Sequence, residues 1–439
     1  MLNVIFLLLH TCICIYFISN RNAAILGYLI FFQEIHLVPF NNLGLNTLGF
    51  AYYFVMVVVF AYCYTRFYIS RERLLFIINN KVIWSILILS LIILLHVILI
   101  GLKSDTAYVL VFRFFLQVIP IIIFLIIVLE KKKFLDELAE GIIIYGALLF
   151  CVLAFTTDML STLLSRGEFR EVVGVSPIGL SRRAGIIFIT SLFYLLYRDK
   201  YKKTVVVVLF ISLLVMIAST TRGPFIALFI TLFVVLLLKK EKLKTKALRL
   251  SVITGIPIIF GVIVLNYIDF EVLFMFLDRL ERLQNFENMR RFRRLQWAMD
   301  FVQSDFKLTS LYFWLGLGPA GFSYYFGLGY AHNFIIEIIL EYGFLGILSV
   351  ILFLTYSFYY AYWIITNGSS NQYIYIPALF IFLFLSAMVS GDIVGNRNLF
   401  FISVIQAISI FFLKNKTNIS LRIKMRALLR KNNIKLHVG

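Results

Sequence analysis

Apolar stretches long enough to cross a lipid bilayer follow one another along almost the whole chain. A crossing helix needs about 20 apolar residues, and in lipid its backbone hydrogen bonds must close internally. Hydrophobic residues make up 62% of the 439 residues and charged residues 14%, whereas an ordinary globular domain has about 25% charged residues. This excludes a water-soluble fold. The sequence predicts an all-α, polytopic transmembrane helical bundle.

The apolar segments predict about 12–13 helices in a single transmembrane domain over residues 1–413. Several segments are shorter than a full crossing, so we expect tilted, broken or re-entrant pieces among them. The segments lie at 2–19, 23–39, 46–67, 82–101, 108–129, 139–156, 184–197, 204–219, 222–238, 250–267, 331–357, 372–390 and 398–413.

Lysine-rich short connections set the orientation, because basic residues in short loops stay in the cytoplasm. Such connections lie at 66–81, 131–133, 198–203 and 239–249, and a basic cytoplasmic tail follows at 414–439. Two long loops, 157–183 and 269–330, are then extracytoplasmic. The formal charge of +19 comes mainly from the short connections. It is a topology signal, and no nucleic acid partner is predicted.

The two outer loops are rich in arginine and contain a single lysine, Lys307. A guanidinium group presents a planar fork of donors that binds phosphate or carboxylate bidentately. As a group, these arginines predict recognition of an anionic ligand on the outer side. Any single one of them is better explained as a solvated side chain, since long loops are translocated regardless of charge. They are Arg166, Arg170, Arg182, Arg183, Arg279, Arg282, Arg290, Arg291, Arg293 and Arg294.

A glycine-rich stretch and a histidine mark the end of the second outer loop. Gly316, Gly318 and Gly321 predict a tight turn before a helix. His332 and Asn333 then begin a helix at the outer interface, which makes the imidazole a candidate for proton transfer. A histidine that only anchors the helix end is the alternative for His332 taken alone. Further along that helix, Glu337 and Glu341 are four residues apart and share one face.

Four stretches together resemble the O-antigen ligase and polymerase superfamily, membrane glycosyltransferases that use undecaprenyl-pyrophosphate-linked sugars. They cover roughly residues 157–346, with Ile226 in place of a leucine and Ser176 in place of an asparagine. The stretches are His332-Asn333 followed by Gly343 and Gly346, Ser219-Thr220-Thr221-Arg222-Gly223, Gly174-Val175-Ser176-Pro177 with Leu180, and Arg294 to Trp297 followed by Leu315-Gly316-Leu317-Gly318.

The resemblance implies a GT-C-like bundle in the bacterial inner membrane with its active site on the periplasmic face. It also implies an inverting transfer that needs no metal and no cofactor, since the lipid-linked oligosaccharide is the donor. Membrane lipid surrounds the enzyme, and the resemblance leaves room for a chain-length regulator as protein partner.

The implied reaction has two needs, a cation for the leaving group and a group that handles the acceptor proton. These needs select the candidate catalytic residues. A pyrophosphate leaving group gains negative charge, so a fixed cation is needed. Arg222 at the outer end of a helix is the first candidate, and His332 would accept or orient the acceptor proton. Arg113 lies in an apolar run and either binds the anion or extends to the interface as a snorkelling side chain. The other candidate binding residues are Arg182, Arg183, Arg290, Arg294, Asn333 and Glu341, and the structural glycines are Gly318, Gly343 and Gly346.

Three functions compete on this sequence. A polymerase would join repeat units of O-antigen or another surface polysaccharide, and a ligase would move the finished chain onto the lipid A core. A transporter or flippase of lipid-linked oligosaccharide comes last, because no internal repeat is evident. Repeat-unit polymerases are expected to be the most diverse in sequence among these proteins. For this reason the polymerase is placed first of the three functions.

Overall fold

The computed structural model describes residues 2–20, 22–64, 71–99, 101–127, 133–156, 176–198, 202–219, 221–240, 307–327, 333–367, 373–389 and 395–413, together with residues 255, 296, 297, 300, 301, 303 and 304. Every long regular element in these ranges is a helix. The predicted crossing at 250–267, most of the loop at 269–330 and the tail at 414–439 lie outside the described residues.

The described helices are numbered here in chain order. They are α1 Leu2–Ser19, α2 Ile25–Phe31, α3 Glu34–Asn42, α4 Asn46–Tyr64, α5 Arg71–Asn79, α6 Lys81–Leu99, α7 Asp105–Ile127, α8 Phe134–Thr156, α9 Pro177–Tyr197, α10 Lys202–Ala218, α11 Arg222–Leu238, α12 Leu311–Leu315, α13 Gly321–Phe326, α14 Phe334–Thr366, α15 Tyr375–Ala387 and α16 Arg397–Leu413.

Six of these helices are long and apolar enough to cross a membrane, namely α1, α6, α7, α8, α9 and α14. Shorter apolar helices lie at Thr47–Phe60, Gly223–Leu238, Tyr375–Ala387 and Arg397–Leu413. Each corresponds to a predicted crossing. The prediction of a polytopic helical membrane bundle is confirmed.

Several predicted segments differ in detail from the structure. The segment 23–39 is two helices, α2 and α3, which separate at Phe32. Helix α7 contains a π-helical turn over Phe114–Val118. Helix α9 begins at Pro177, so the last seven residues of the predicted outer loop 157–183 are helical. Ser176 caps α9, with its Oγ accepting a hydrogen bond from the amide of Gly179 at 3.0 Å.

The structure gathers the predicted inner helix ends together. Arg198, after the end of α9, forms an ion pair with Asp136 at the start of α8. Lys239, after the end of α11, donates to the Tyr197 hydroxyl. The Tyr375 hydroxyl, at the start of α15, donates to the carbonyl of Leu135 at 2.6 Å. These contacts bring the starts of α8 and α15 next to the ends of α9 and α11.

Aromatic packing ties three helices together beneath the predicted outer ends. The ring of Phe400 in α16 lies 6.4 Å from Phe114 in α7, and 6.2 Å and 5.1 Å from Phe334 and Phe353 in α14, measured between centroids. All four side chains are buried. Edge-to-face pairs at such distances add to the burial of the rings. This packing fixes the start of α14, where the predicted histidine motif lies.

Candidate functional site

The glycine-rich turn docks against a break in helix α14. Gly343 has φ 60° and ψ −154°, which interrupts the helix. The break takes Leu340 and Glu341 out of the regular α-helical hydrogen-bond pattern, and their carbonyls accept bonds from the amides of Leu317 at 2.7 Å and Gly318 at 2.8 Å. The two parts of the predicted motif, the glycine turn and the later glycines, therefore form one backbone unit.

No side chain larger than hydrogen fits at this junction. A Cβ on Gly343 would lie 2.6 Å from the amide nitrogen of Gly316 and 2.7 Å from the carbonyl oxygen of Phe313. A Cβ on Gly346, one turn further along, would lie 2.4 Å from the Cβ of Tyr342. Close backbone approach accounts for glycine at these positions.

Asn333 connects the start of α14 to the end of α15. Its Oδ1 accepts hydrogen bonds from the amides of Ile335 at 3.0 Å and Ile336 at 3.2 Å, which caps α14. Its Nδ2 donates to the carbonyl oxygen of Met388 at 3.1 Å. His332 immediately precedes this tethered cap and lies outside the described residues.

Helix α11 meets the same turn. Its first residue is Arg222, whose side chain is not among those described. A Cβ on the next residue, Gly223, would lie 2.8 Å from Cγ2 of Val389. Consecutive residues at 388–389 thus contact the residue after His332 and the residue after Arg222. Asn333 and Gly223, the neighbours of the two predicted catalytic residues, therefore both contact the 388–389 turn.

Two buried carboxyl groups lie beneath this region. Glu337 and Glu341 are 1% and 3% exposed and line one cavity, as their shared helix face predicts. The cavity of about 10 Å³ has room for about one water molecule. Its other walls are Ile93, Leu110, Val111, Phe114 and Tyr342. Phe114 begins the π-helical turn of α7, and such turns are frequent at functional sites.

A second histidine lies beneath the glycine turn. His96 of α6 is fully buried, and a Cβ on Gly318 would lie 2.2 Å from its Cε1. Gly318 therefore keeps the turn in contact with the imidazole, in addition to its backbone bond to α14. His96 is not among the candidate site residues that the sequence predicts. The available signal was its position on the buried face of α6, three residues after Ile93.

Arg182 and Arg183 bind protein groups in this structure. Arg182 is buried, and its guanidinium donates to Oδ1 of Asn396 at 3.0 Å and to the carbonyl of Ser386. Arg183 forms an ion pair with Glu34 at the start of α3. Both were predicted to bind pyrophosphate from a loop. Their position inside helix α9 and these acceptors favour a positioning role.

Replacing Arg182 tests that role. Its bond to Ser386 holds the end of α15, two residues before the carbonyl that binds Asn333. In Arg182→Lys a single ammonium replaces the fork that reaches both acceptors. We expect turnover to fall about 10–100-fold, since misplacement by about 1 Å can cost 10²-fold. The Michaelis constant for the lipid-linked donor should stay unchanged in a transfer assay.

Arg198→Lys is the matched control for this experiment, because Arg198 follows the other end of α9 and also binds a protein carboxylate. Its turnover should match the wild type. Equal losses in the two variants, or a raised donor Michaelis constant in Arg182→Lys alone, would contradict the positioning role.

Arg113 lies away from the cavity. Its side chain is exposed, with the guanidinium carbon 5.6 Å from the ring centroid of Phe50. The exposed side chain agrees with the alternative of a snorkelling arginine, and its distance from the Phe50 ring is that of a cation–π contact. Arg290 and Arg294 lie outside the described residues.

No metal site is found in the described residues, where no three His, Cys, Asp or Glu side chains come close enough together to hold an ion. Independence from metal remains a prediction of the family resemblance.

The fold defines the class of this protein as a multi-pass helical membrane protein, with a glycine-rich turn packed onto a broken helix. Comparison with protein families gives a match to the model described as O-Antigen ligase over residues 207–351, about a third of the chain. This segment contains both Arg222 and His332. Over this segment, the match supports the predicted resemblance to the O-antigen ligase and polymerase superfamily. No curated protein gives a significant match to the chain.

Proposed function

We propose that this protein is a surface-polysaccharide polymerase of the bacterial inner membrane. It transfers a glycan from undecaprenyl pyrophosphate to a sugar hydroxyl of another repeat unit, at the periplasmic face. The observation that carries the proposal is the convergence of the residues after His332 and Arg222 on the 388–389 turn. Both residues lie in the segment that matches the family.

Arg222 stabilises the leaving group in this proposal. As the bond between the anomeric carbon and the pyrophosphate oxygen breaks, the electron pair stays on the pyrophosphate. A fixed guanidinium group near that oxygen stabilises the developing charge without reorganisation. Arg290 and Arg294, from the loop that precedes the histidine, are proposed to bind the same diphosphate.

His332 handles the proton of the acceptor. The acceptor oxygen forms a bond to the anomeric carbon from the side opposite the pyrophosphate, and this inverts the configuration. Its hydroxyl proton passes to the imidazole of His332. Asn333 fixes the backbone next to His332 through its cap and its bond to Met388. We assign Asn333 to positioning within the site.

Glu341 fits a role other than pyrophosphate binding. A carboxylate repels a diphosphate, and Glu341 lies buried on the cavity wall beside Glu337. We propose that the pair supports the arginine and histidine groups above it. No metal or cofactor takes part in the proposed transfer.

The ligase is the second candidate, favoured by the description of the matched family model. Gene deletion separates the two functions. Loss of a polymerase should leave a surface glycan of one repeat unit, as seen on a denaturing gel of the surface polysaccharide. Bare core with intermediates trapped on the carrier would instead identify a ligase.

Direct transfer tests the proposal. Purified protein incubated with a defined undecaprenyl-pyrophosphate oligosaccharide should yield products that grow by whole repeat units, with release of undecaprenyl pyrophosphate. The transporter would be indicated if the protein moved the intact lipid-linked sugar across the vesicle membrane and formed no new glycosidic bond.

A further inference from the structure

An exposed cluster of tyrosines lies on the loop that leads to the histidine motif. Tyr312 lies in α12, and Tyr324 and Tyr325 lie in α13. Their exposed fractions are 37%, 54% and 43%. The ring centroids of Tyr324 and Tyr325 are 5.3 Å apart. We call Tyr312, Tyr324, Tyr325 and the neighbouring Lys103 the tyrosine surface.

The faces of α12 and α13 that lie opposite the tyrosines pack against α14 near the site. In α12, Phe313 stacks on Phe344 of α14 with centroids 5.4 Å apart. In α13, Phe322 is fully buried and packs with Leu340. Phe344 and Leu340 flank the break at Gly343. The tyrosine surface therefore lies on the same backbone unit as the glycine turn.

Lys103 holds two of the rings in place. It follows α6, and its ammonium donates to the Tyr325 hydroxyl. The ammonium also lies 4.6 Å from the ring centroid of Tyr325 and 5.7 Å from that of Tyr312. Burial raises the pKa of the Tyr325 phenol, but hydrogen bonds with Lys103 and Tyr312 and the lysine charge hold that pKa below its usual value. The surface is preorganised, which lowers the entropy cost of binding.

We propose that the tyrosine surface binds the sugar rings of the glycan substrate. A pyranose ring has an apolar C–H face and a rim of hydroxyls, which match an aromatic face bordered by phenol and ammonium groups. This inference rests on the proposed function. It adds a glycan-binding site that acts beside the diphosphate-binding arginines.

An aromatic belt at the membrane interface is the competing explanation for exposed tyrosines. The chain offers a matched control, because Tyr359 and Tyr362 are 51% and 53% exposed on α14 beyond the break. A tyrosine that only anchors the protein at the membrane interface is not expected to bind sugar in detergent. Binding of a carrier-free oligosaccharide in micelles therefore separates the two explanations.

The test uses the full-length protein and an oligosaccharide released by mild acid from the host's own surface polysaccharide. Binding is measured by saturation-transfer NMR. We expect the dissociation constant to rise about tenfold in Tyr324→Ala, because one stacked aromatic group contributes about that factor. The triple alanine variant of Tyr312, Tyr324 and Tyr325 should lose measurable binding. Tyr359→Ala with Tyr362→Ala should bind like wild type.

Two results would overturn the proposal. One is a wild-type protein that does not bind the oligosaccharide. The other is a Tyr324→Ala protein that binds as wild type does; this variant removes the most exposed ring and so threatens folding least. Release of undecaprenyl pyrophosphate, measured in the same preparations, reports on the transfer reaction separately. If the wild-type enzyme is active but does not bind the oligosaccharide, the proposed glycan binding by the tyrosine surface is wrong and the proposed function stands.

Discussion

His332→Ala and Arg222→Ala should each abolish polymer while leaving the protein inserted in the membrane. Loss of a general base typically costs about 10²–10⁴-fold in rate, and loss of a preorganised charge donor costs about 10²–10³-fold. Arg222→Lys should also be defective, because an ammonium keeps the charge but loses the bidentate geometry. Chain-length distribution in the host and transfer by purified protein measure the effect.

His437→Ala and Arg198→Ala are the controls for these variants. His437 lies in the basic tail, and Arg198 is paired with Asp136 at the predicted inner end of the bundle. Both controls should make polymer of normal length. Normal chain lengths in the two alanine variants of the proposed site would remove the catalytic assignment.

Gly343→Ala should disrupt the site through the backbone. A φ of 60° with ψ of −154° is a conformation that side chains rarely adopt, at a cost of about 1–3 kcal/mol. The added Cβ also meets backbone atoms of Gly316 and Phe313 within 2.7 Å. Overpacking of this kind costs about 1–3 kcal/mol more. We expect a lower melting temperature in detergent, and a loss of transfer activity of at least about tenfold as the turn separates from α14.

Gly327→Ala controls for positive φ alone. Gly327 has φ 65° in the left-handed helical region, and nothing lies within 4 Å of an added Cβ. That variant should lose only about 1–2 kcal/mol and stay active. Equal melting temperatures for the Gly343 variant and the wild type would show that the turn does not depend on this contact.

The positions of the long helices could be predicted because hydrophobicity is local information. The predicted segments 2–19 and 222–238 agree with α1 and α11 at both ends. The break near Phe32 could not be predicted in this way. Gln33 and Glu34 find their partners, Arg397 and Arg183, far away in sequence. Tertiary contacts of this kind override the local apolar pattern.

The candidate site was predictable in its residues but not in its connections. The resemblance selected Asn333 and Gly343, and the structure gives each a specific contact. Nothing in the sequence links Asn333 to Met388, or Gly343 to the backbone of Phe313 and Gly316. The loop prediction placed Arg182 outside a helix, although Ser176 followed by Pro177 is a local signal for the start of a helix.

An experimental density map of the protein bound to undecaprenyl pyrophosphate tests the central claim most directly. We expect diphosphate density within about 4 Å of the Arg222 guanidinium, a salt-bridge distance, with the imidazole of His332 facing the same cavity beside the 388–389 turn. Diphosphate bound elsewhere, with Arg222 and His332 facing separate cavities or opposite ends of the bundle, would contradict it.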